Sequence, residues 1–230
     1  MTKEPSNILC FAPKHNVKKA DATGAFQPEA KRFLKRHKTS SDRLVLFDNN
    51  KSKTQMQKFI TKELSKHIRL DGVFFFCHGY KSGIQCGFSN KTVNSFAKVL
   101  VRSSVVWHTV IGLYACDTGR DLDKDRLDDL EEFGGDGGFA DELRDALCRN
   151  GGIYCRVDAH TSAGHTSRNP NIRRFEGNGS KVGGVGGHYI IPFRSKLWKQ
   201  WRKALKSVMR FDFPFMGDNE IIKCVGKIKA

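Results

Sequence analysis

Two short apolar runs constrain the fold of this chain more than any other feature. Residues 72–77 lead directly into His78, and residues 109–114 lead through an alanine into Cys116. Both runs are rich in β-branched or aromatic side chains and are bounded by polar or glycine-containing turns, which is typical of strands buried on both faces of a parallel sheet. Because parallel strands end at a common edge, where open α/β folds bind ligands, the histidine and the cysteine are expected at one edge.

The rest of the chain predicts further strands and helices in alternation. Further strands are predicted at 7–12, 43–48, 153–157 and 188–193, and helices at 28–37, 53–68, 93–101, 138–149 and 195–209. Helical crossovers between strands favour an α/β fold: a three-layer α/β/α sandwich with a mostly parallel six-stranded sheet. The predicted organisation is a single domain over 1–230, with an acidic loop at 117–137 and a basic C-terminal helix at 195–209.

Composition narrows the class of protein. The 230 residues are 39% hydrophobic and 28% charged, which is ordinary for a globular chain that forms one core. No apolar run approaches the roughly 18 residues of a membrane span, and the first residues lack the apolar segment of a secretion signal. Seven cysteines, at least four of them in or beside predicted strands, argue against a disulfide framework. A cytoplasmic protein without a transmembrane segment is the expectation.

A thiol and an imidazole at neighbouring strand ends can act as a nucleophile and its base. Taken alone, a strand-end histidine is more often structural, and a buried cysteine is more often inert packing. His78 and Cys116 are predicted to be catalytic because the two motifs occur together, each at the end of a predicted strand and in this order. Gly79 lets a substrate carbonyl approach the backbone, so the N–H groups of Gly79 and Cys116 are predicted to bind the oxyanion.

An apolar strand followed by His-Gly, and then an apolar strand followed by Ala-Cys, resembles the signature of the caspase-like cysteine peptidases. That group includes caspases, metacaspases, legumain and clostripain. The resemblance implies a caspase-like sheet, a thiol protease acting on protein or peptide substrates, and no required cofactor. It also implies that Cys116 attacks the scissile carbonyl, that His78 serves as general acid and then base, and that a third catalytic residue is dispensable.

The sequence indicates the residues that bind the substrate less specifically than it indicates the catalytic pair. In this group the pocket for the residue before the cut lies beyond the cysteine strand and the next strand. Asp158, together with Asp117, would favour a basic residue at the cut, and that preference is the weak prediction made here. Arginines would instead favour an acidic residue: Arg168, Arg173 and Arg174.

The acidic loop raises the question of a metal. Its carboxylates follow the spacing of a calcium-binding loop at Asp121, Asp123, Asp125 and Glu132. Arg126 stands where such a loop needs glycine, so a solvated acidic linker is the favoured interpretation over a calcium site. A zinc site built from Cys155, His160 and His165 is a further, weaker alternative. By resemblance, self-processing would fall in the same loop, after Arg120, Lys124 or Arg126.

The net charge of +16 allows an alternative function. Basic residues concentrate near both ends of the chain, in segments 14–38 and 194–210. Such a surface can bind nucleic acid or an anionic membrane. A solvated basic face is the favoured explanation of the charge, because no RNA- or DNA-binding motif accompanies it. The alternative to a peptidase is therefore a catalytically inactive caspase-like binding module.

Overall fold

A computed structural model describes residues 7–15, 24–103, 105–122, 135–184 and 186–228. Within these ranges the chain forms α-helices around a large central sheet. None of the helices found there combines the length and the apolar character that crossing a membrane requires.

The central sheet contains seven strands within the described ranges, in the spatial order β2-β1-β3-β6-β7-β8-β9. These are β1 (Ile8–Pro13), β2 (Leu44–Phe47), β3 (Leu70–Phe76), β6 (Val105–Tyr114), β7 (Arg156–His160), β8 (Ile172–Glu176) and β9 (His188–Tyr189). The first five strands of that order run parallel, whereas β8 is antiparallel to β7 and to β9. A short antiparallel hairpin, β4 (Gly79–Tyr80) and β5 (Gly83–Ile84), stands apart from this sheet.

Helices cover both faces of the sheet, so the predicted α/β class and its layered arrangement are confirmed. The helices are α1 (Phe26–Arg36), α2 (Lys53–Leu64), α3 (Val93–Ser103), α4 (Phe139–Arg149), α5 (Trp198–Ser207) and α6 (Asp218–Gly226). Helices α2, α3 and α4 contribute to one hydrophobic core, and α1, α5 and α6 contribute to the other.

Strand β3 shows why an unbroken apolar run was required. Val73 and Phe75 are buried in the core beneath α2 and α3, whereas Phe74 and Phe76 are buried in the opposite core. Successive side chains of a strand point to opposite faces, so a strand covered by helices on both sides needs apolar residues at consecutive positions.

The sheet differs from the six-stranded prediction by one strand, because β8 lies between the strands predicted at 153–157 and 188–193, where no element was predicted. Its sequence includes Arg173 and Arg174, a charge pattern atypical of a buried strand, yet both side chains are buried. The fifth predicted strand, 153–157, is shifted to Arg156–His160. The shift arises because residues 152–155 form a turn, in which the Cys155 N–H donates a hydrogen bond to the carbonyl of Gly152.

The last predicted strand and helix are shorter than expected. The strand at 188–193 is reduced to His188–Tyr189, because the chain turns at Pro192, whose carbonyl accepts from the N–H of Ser195. The basic helix at 195–209 contracts to Trp198–Ser207. Helix α6 was absent from the prediction.

Candidate active site

Strands β3 and β6 are neighbours in the sheet, and their ends bring the two motifs together. The last paired residues in their parallel register are Phe76 and Tyr114. His78 and Cys116 each follow two residues later, so they occupy equivalent positions beyond adjacent strands. The expected common edge is therefore present.

Gly79 provides the tightest contact between the two motifs. A Cβ atom at this position would lie 2.3 Å from the carbonyl oxygen of Cys116 and 2.8 Å from the Cβ of Ala115. Both distances are below van der Waals contact, so only glycine allows the backbone after His78 to lie directly against the backbone of the cysteine. The predicted oxyanion residues, Gly79 and Cys116, are therefore in backbone contact.

His78 is positioned from two sides. Its ring lies edge-on to Phe26 at the start of α1, with 5.2 Å between ring centroids. Its carbonyl accepts from the N–H of Gln85 at 2.9 Å, and its own N–H donates to the Gln85 side-chain oxygen at 3.3 Å. The β4–β5 hairpin thus folds back and fixes the backbone on which the imidazole is mounted.

A tight turn follows Cys116. Asp117 has a φ of 59°, in the left-handed region that aspartate adopts more readily than most residues. The Thr118 hydroxyl donates to the carbonyl of Ala115 at 3.0 Å, and the Gly119 N–H donates to the carbonyl of His160 at 2.8 Å. These bonds hold Cys116 at the strand exit, where the residue is partly exposed.

The loop of residues 161–171 forms a wall beside the thiol. The Sγ of Cys116 lies 4.0 Å from the carbonyl oxygen of Gly164. Ser167 donates a hydrogen bond to the buried carboxylate of Glu29, and the Trp201 indole donates to the carbonyl of Pro170 at 2.9 Å. The loop is therefore tied to both α1 and α5. These distant anchors could not be found from local sequence patterns.

The structure contradicts the role predicted for Asp158 in substrate binding. Its carboxylate is buried and accepts two bonds from the fully buried Arg174, from Nε at 2.9 Å and from Nη2 at 3.2 Å. Arg174 also pairs with Asp218 at 2.5 Å, at the start of α6. The carboxylate of Asp158 and the guanidinium of Arg174 are both paired within this buried network, so neither side chain is available to bind a substrate side chain.

The other predicted specificity residues are placed differently. Asp117 lies directly after the thiol and pairs with Arg120 at 3.2 Å. Arg168 is exposed on the 161–171 loop. Arg173 is buried, with its guanidinium 4.7 Å from the centroid of the Tyr189 ring and 3.7 Å from Asp121.

Most of the predicted calcium loop lies outside the described residues. Of its four carboxylates only Asp121 is described, and it accepts from the N–H of Gly135 while facing Arg173. The others are Asp123, Asp125 and Glu132, and two of the proposed processing sites, Lys124 and Arg126, share this segment. In the part of the chain that is described, no three His, Cys, Asp or Glu side chains cluster as metal ligands would.

The sequence offers His160 only as a zinc ligand, but its ring lies in the interior, 5.8 Å from the Tyr114 ring between centroids. Its side chain is buried and neither ring nitrogen has a hydrogen-bond partner. Burial, and to a smaller extent the nearby His165, lowers the pKa of His160 to about 3. The imidazole is therefore neutral, and its backbone carbonyl supports the turn after Cys116.

The basic helix α5 packs as an amphipathic helix. Trp201 and Leu205 are buried, whereas its lysines and Arg202 are exposed. The buried indole is already engaged with the 161–171 loop, so it is not available to an outside ligand. What α5 presents to solvent is its charge.

A scan against models of known protein families found no match, and neither did searches of curated proteins and of solved structures.

Proposed function

We propose that this chain is a cysteine endopeptidase of caspase-like type, with Cys116 as nucleophile and His78 as general acid and base. The observation that carries the proposal is the contact between the two strand ends. Gly79 lies so close to Cys116 that its Cα has no room for a side chain. A His-Gly and an Ala-Cys packed at one sheet edge have the arrangement that the resemblance implies.

The exposure of the cysteines supports the choice of nucleophile. Five of the seven are buried, and only Cys116 and Cys224 are partly exposed. Burial raises the pKa of the Cys10 and Cys86 thiols well above their usual value, and that of Cys155 to about 12. Because the thiolate is the reactive form, these three buried thiols are poor nucleophiles. Cys116 alone combines partial exposure with a neighbouring histidine motif.

The reaction follows from these positions. The Cys116 thiolate attacks the scissile carbonyl, and the negative charge that develops on oxygen is stabilised by the N–H groups of Gly79 and Cys116. His78 protonates the leaving amine, the C–N bond breaks, and a thioester remains on Cys116. His78 then takes a proton from water, which attacks the thioester and releases the carboxylic acid and the thiol.

The 161–171 loop is the proposed substrate-binding wall, because it reaches the thiol through Gly164. The preference for a basic residue at the cut loses its support with Asp158 in the interior. Two charged side chains remain at the margins of the site, Asp117 and Arg168. Their effect on specificity can be measured with a peptide library that varies the residue before the cut. Cleavage rates of wild type are compared with those of the variants Asp117→Asn and Arg168→Gln.

Covalent labelling tests the proposed nucleophile. A peptide carrying an electrophilic ketone should modify Cys116 in the folded wild type, and the labelled residue is located by mass spectrometry of the digest. His78→Ala should slow this labelling, whereas Cys224→Ala, which removes the other partly exposed thiol, should leave it unchanged. Equal labelling of Cys116 and Cys224 would contradict the proposal and favour an inactive binding module.

A further inference from the structure

The hairpin that follows His78 is flanked by two cysteines, Cys77 before it and Cys86 after it. Its register pairs Tyr80 with Gly83 and Gly79 with Ile84. The Gln85 N–H donates to the carbonyl of His78 at 2.9 Å, which continues the register by one pair. The next residues on the two sides are Cys77, at the bend after β3, and Cys86, in the turn that the Gly87 N–H closes by donating to the carbonyl of Ile84.

The two thiols also meet in space. Both side chains are fully buried in the same hydrophobic core. The Cys77 side chain, through hydrogen bonding and charge, adds to the burial that raises the pKa of Cys86. Opposed residues of antiparallel strands have Cα atoms about 4.5–5.5 Å apart, and Cys77 and Cys86 flank the hydrogen-bonded residues His78 and Gln85. A disulfide requires Cα atoms about 4.4–6.8 Å apart, so its formation needs only a local adjustment of the turn that carries Cys86.

We propose that Cys77 and Cys86 are a disulfide-forming pair, a reversible modification of the segment that carries His78. A low-molecular-weight disulfide such as oxidised glutathione supplies the oxidising equivalents. One protein thiolate attacks a glutathione sulfur and releases one glutathione thiol. The second protein thiolate then attacks the protein sulfur of the mixed disulfide and releases the other. Two protein thiols are oxidised, and one glutathione disulfide is reduced to two thiols.

The cross-link would close the short loop between residues 77 and 86, with His78 and Gly79 inside it. A disulfide mainly restricts the unfolded chain, so the oxidised protein should melt several degrees higher than the reduced one. Oxidation should be slow, because burial raises the pKa of Cys86 and the hairpin must open before the oxidant can enter. Neither expectation depends on peptidase activity.

Peptide mapping tests the pair without ambiguity. The folded full chain is equilibrated with oxidised glutathione, remaining thiols are alkylated, and the protein is digested with trypsin. Cleavage after Arg69, Lys81 and Lys91 yields peptides 70–81 and 82–91, each with one cysteine. A disulfide between Cys77 and Cys86 joins these two peptides until a reductant separates them.

Wild type is expected to yield the joined peptides, and Cys86→Ser is expected to yield none. The control Cys10→Ser, which removes a buried cysteine outside the hairpin, should yield the joined peptides as wild type does. The higher melting temperature should follow the joined pair. Recovery of the two peptides separately, both alkylated, while Cys116 carries glutathione would overturn the proposal. So would a cross-link that forms only in denaturant. The wild-type map decides the question even if a variant fails to fold.

Discussion

Gly79 is the residue on which the contact between the two strand ends depends. The space that a Cβ would need is occupied by the carbonyl of Cys116 and by Ala115. Any side chain must therefore push the histidine turn away from the cysteine. Displacements of about 1 Å in a catalytic arrangement can cost roughly a hundredfold in rate.

Gly79→Ala is accordingly expected to lower kcat/KM for peptide hydrolysis by about a hundredfold. Gly24→Ala is the matched control, because a Cβ at Gly24 meets no atom within 4 Å. The measurement is steady-state hydrolysis, with circular dichroism to show that both variants are folded. Full activity in Gly79→Ala would mean that the close approach is irrelevant to the chemistry.

Asp158 and Arg174 form a buried ion pair that contributes to the stability of the fold. Removing one member of a buried ion pair leaves the other without a partner in a region of low dielectric constant, which costs about 3–5 kcal/mol. Asp158→Ala is therefore expected to lower the free energy of unfolding by this amount in urea titrations.

Arg36→Ala provides the comparison, since Arg36 pairs with Asp212 at the surface, where such pairs contribute at most about 1 kcal/mol. Replacing both buried partners, as in Asp158→Leu with Arg174→Met, should recover part of the loss. A stable Asp158→Ala protein with altered substrate preference would restore Asp158 to the binding pocket.

Among the elements, α6 is attached to the sheet through a titratable pair. Asp218 in its first turn accepts from Nε2 of His188 on β9 at 2.7 Å. This hydrogen bond raises the pKa of His188 above its usual 6.5. Burial alone would raise the pKa of Asp218, but the hydrogen bond from His188 and the charge of Arg174 outweigh burial and hold it below 3.8.

The signs of the two shifts define a pH window for this contact. The raised histidine stabilises the fold below pH 6.5, and this contribution is lost as pH rises through the folded pKa. The lowered carboxyl stabilises the fold above pH 3.8, and its contribution is lost as pH falls through the folded value. The attachment of α6 is thus strongest between these two values.

The melting temperature of wild type should therefore exceed that of His188→Gln most at about pH 5, and the difference should shrink as pH rises above 6.5. Thermal unfolding of both proteins across this range measures the difference. The depressed pKa of His160 acts in the opposite direction, but it is common to both proteins and cancels. A difference that grows with increasing pH would contradict the assignment.

For the whole molecule, the sequence predicted the part of the fold that apolar runs specify. Strands β1, β2, β3 and β6 carry continuous apolar residues, and the parallel order of their ends was enough to bring His78 to Cys116. Strand β8 was not predicted because its buried arginines have partners distant in sequence, which no local pattern reveals. Arg174 bonds to Asp158 on β7 and Asp218 on α6, and Arg173 lies over Tyr189 on β9 and near Asp121.

The same missing partner accounts for the error in the pocket. Asp158 was expected to face a substrate because it follows the predicted strand after the cysteine strand. Its counter-ion, Arg174, lies in a segment for which no strand was predicted. Likewise, the anchors of the 161–171 loop, Glu29 and Trp201, are far from it in sequence. The positions of the motif residues were predictable from strand geometry, whereas the surroundings of the site depend on long-range polar contacts.

The most direct test of the account is peptide hydrolysis by purified wild type and by Cys116→Ala, with Cys224→Ala as the matched thiol control. Loss of the nucleophile should lower kcat/KM by at least about a thousandfold, since it removes covalent catalysis altogether. His78→Ala should show a comparable loss, Cys224→Ala should match wild type, and all four proteins should have similar melting curves. Turnover retained by folded Cys116→Ala would contradict the central claim.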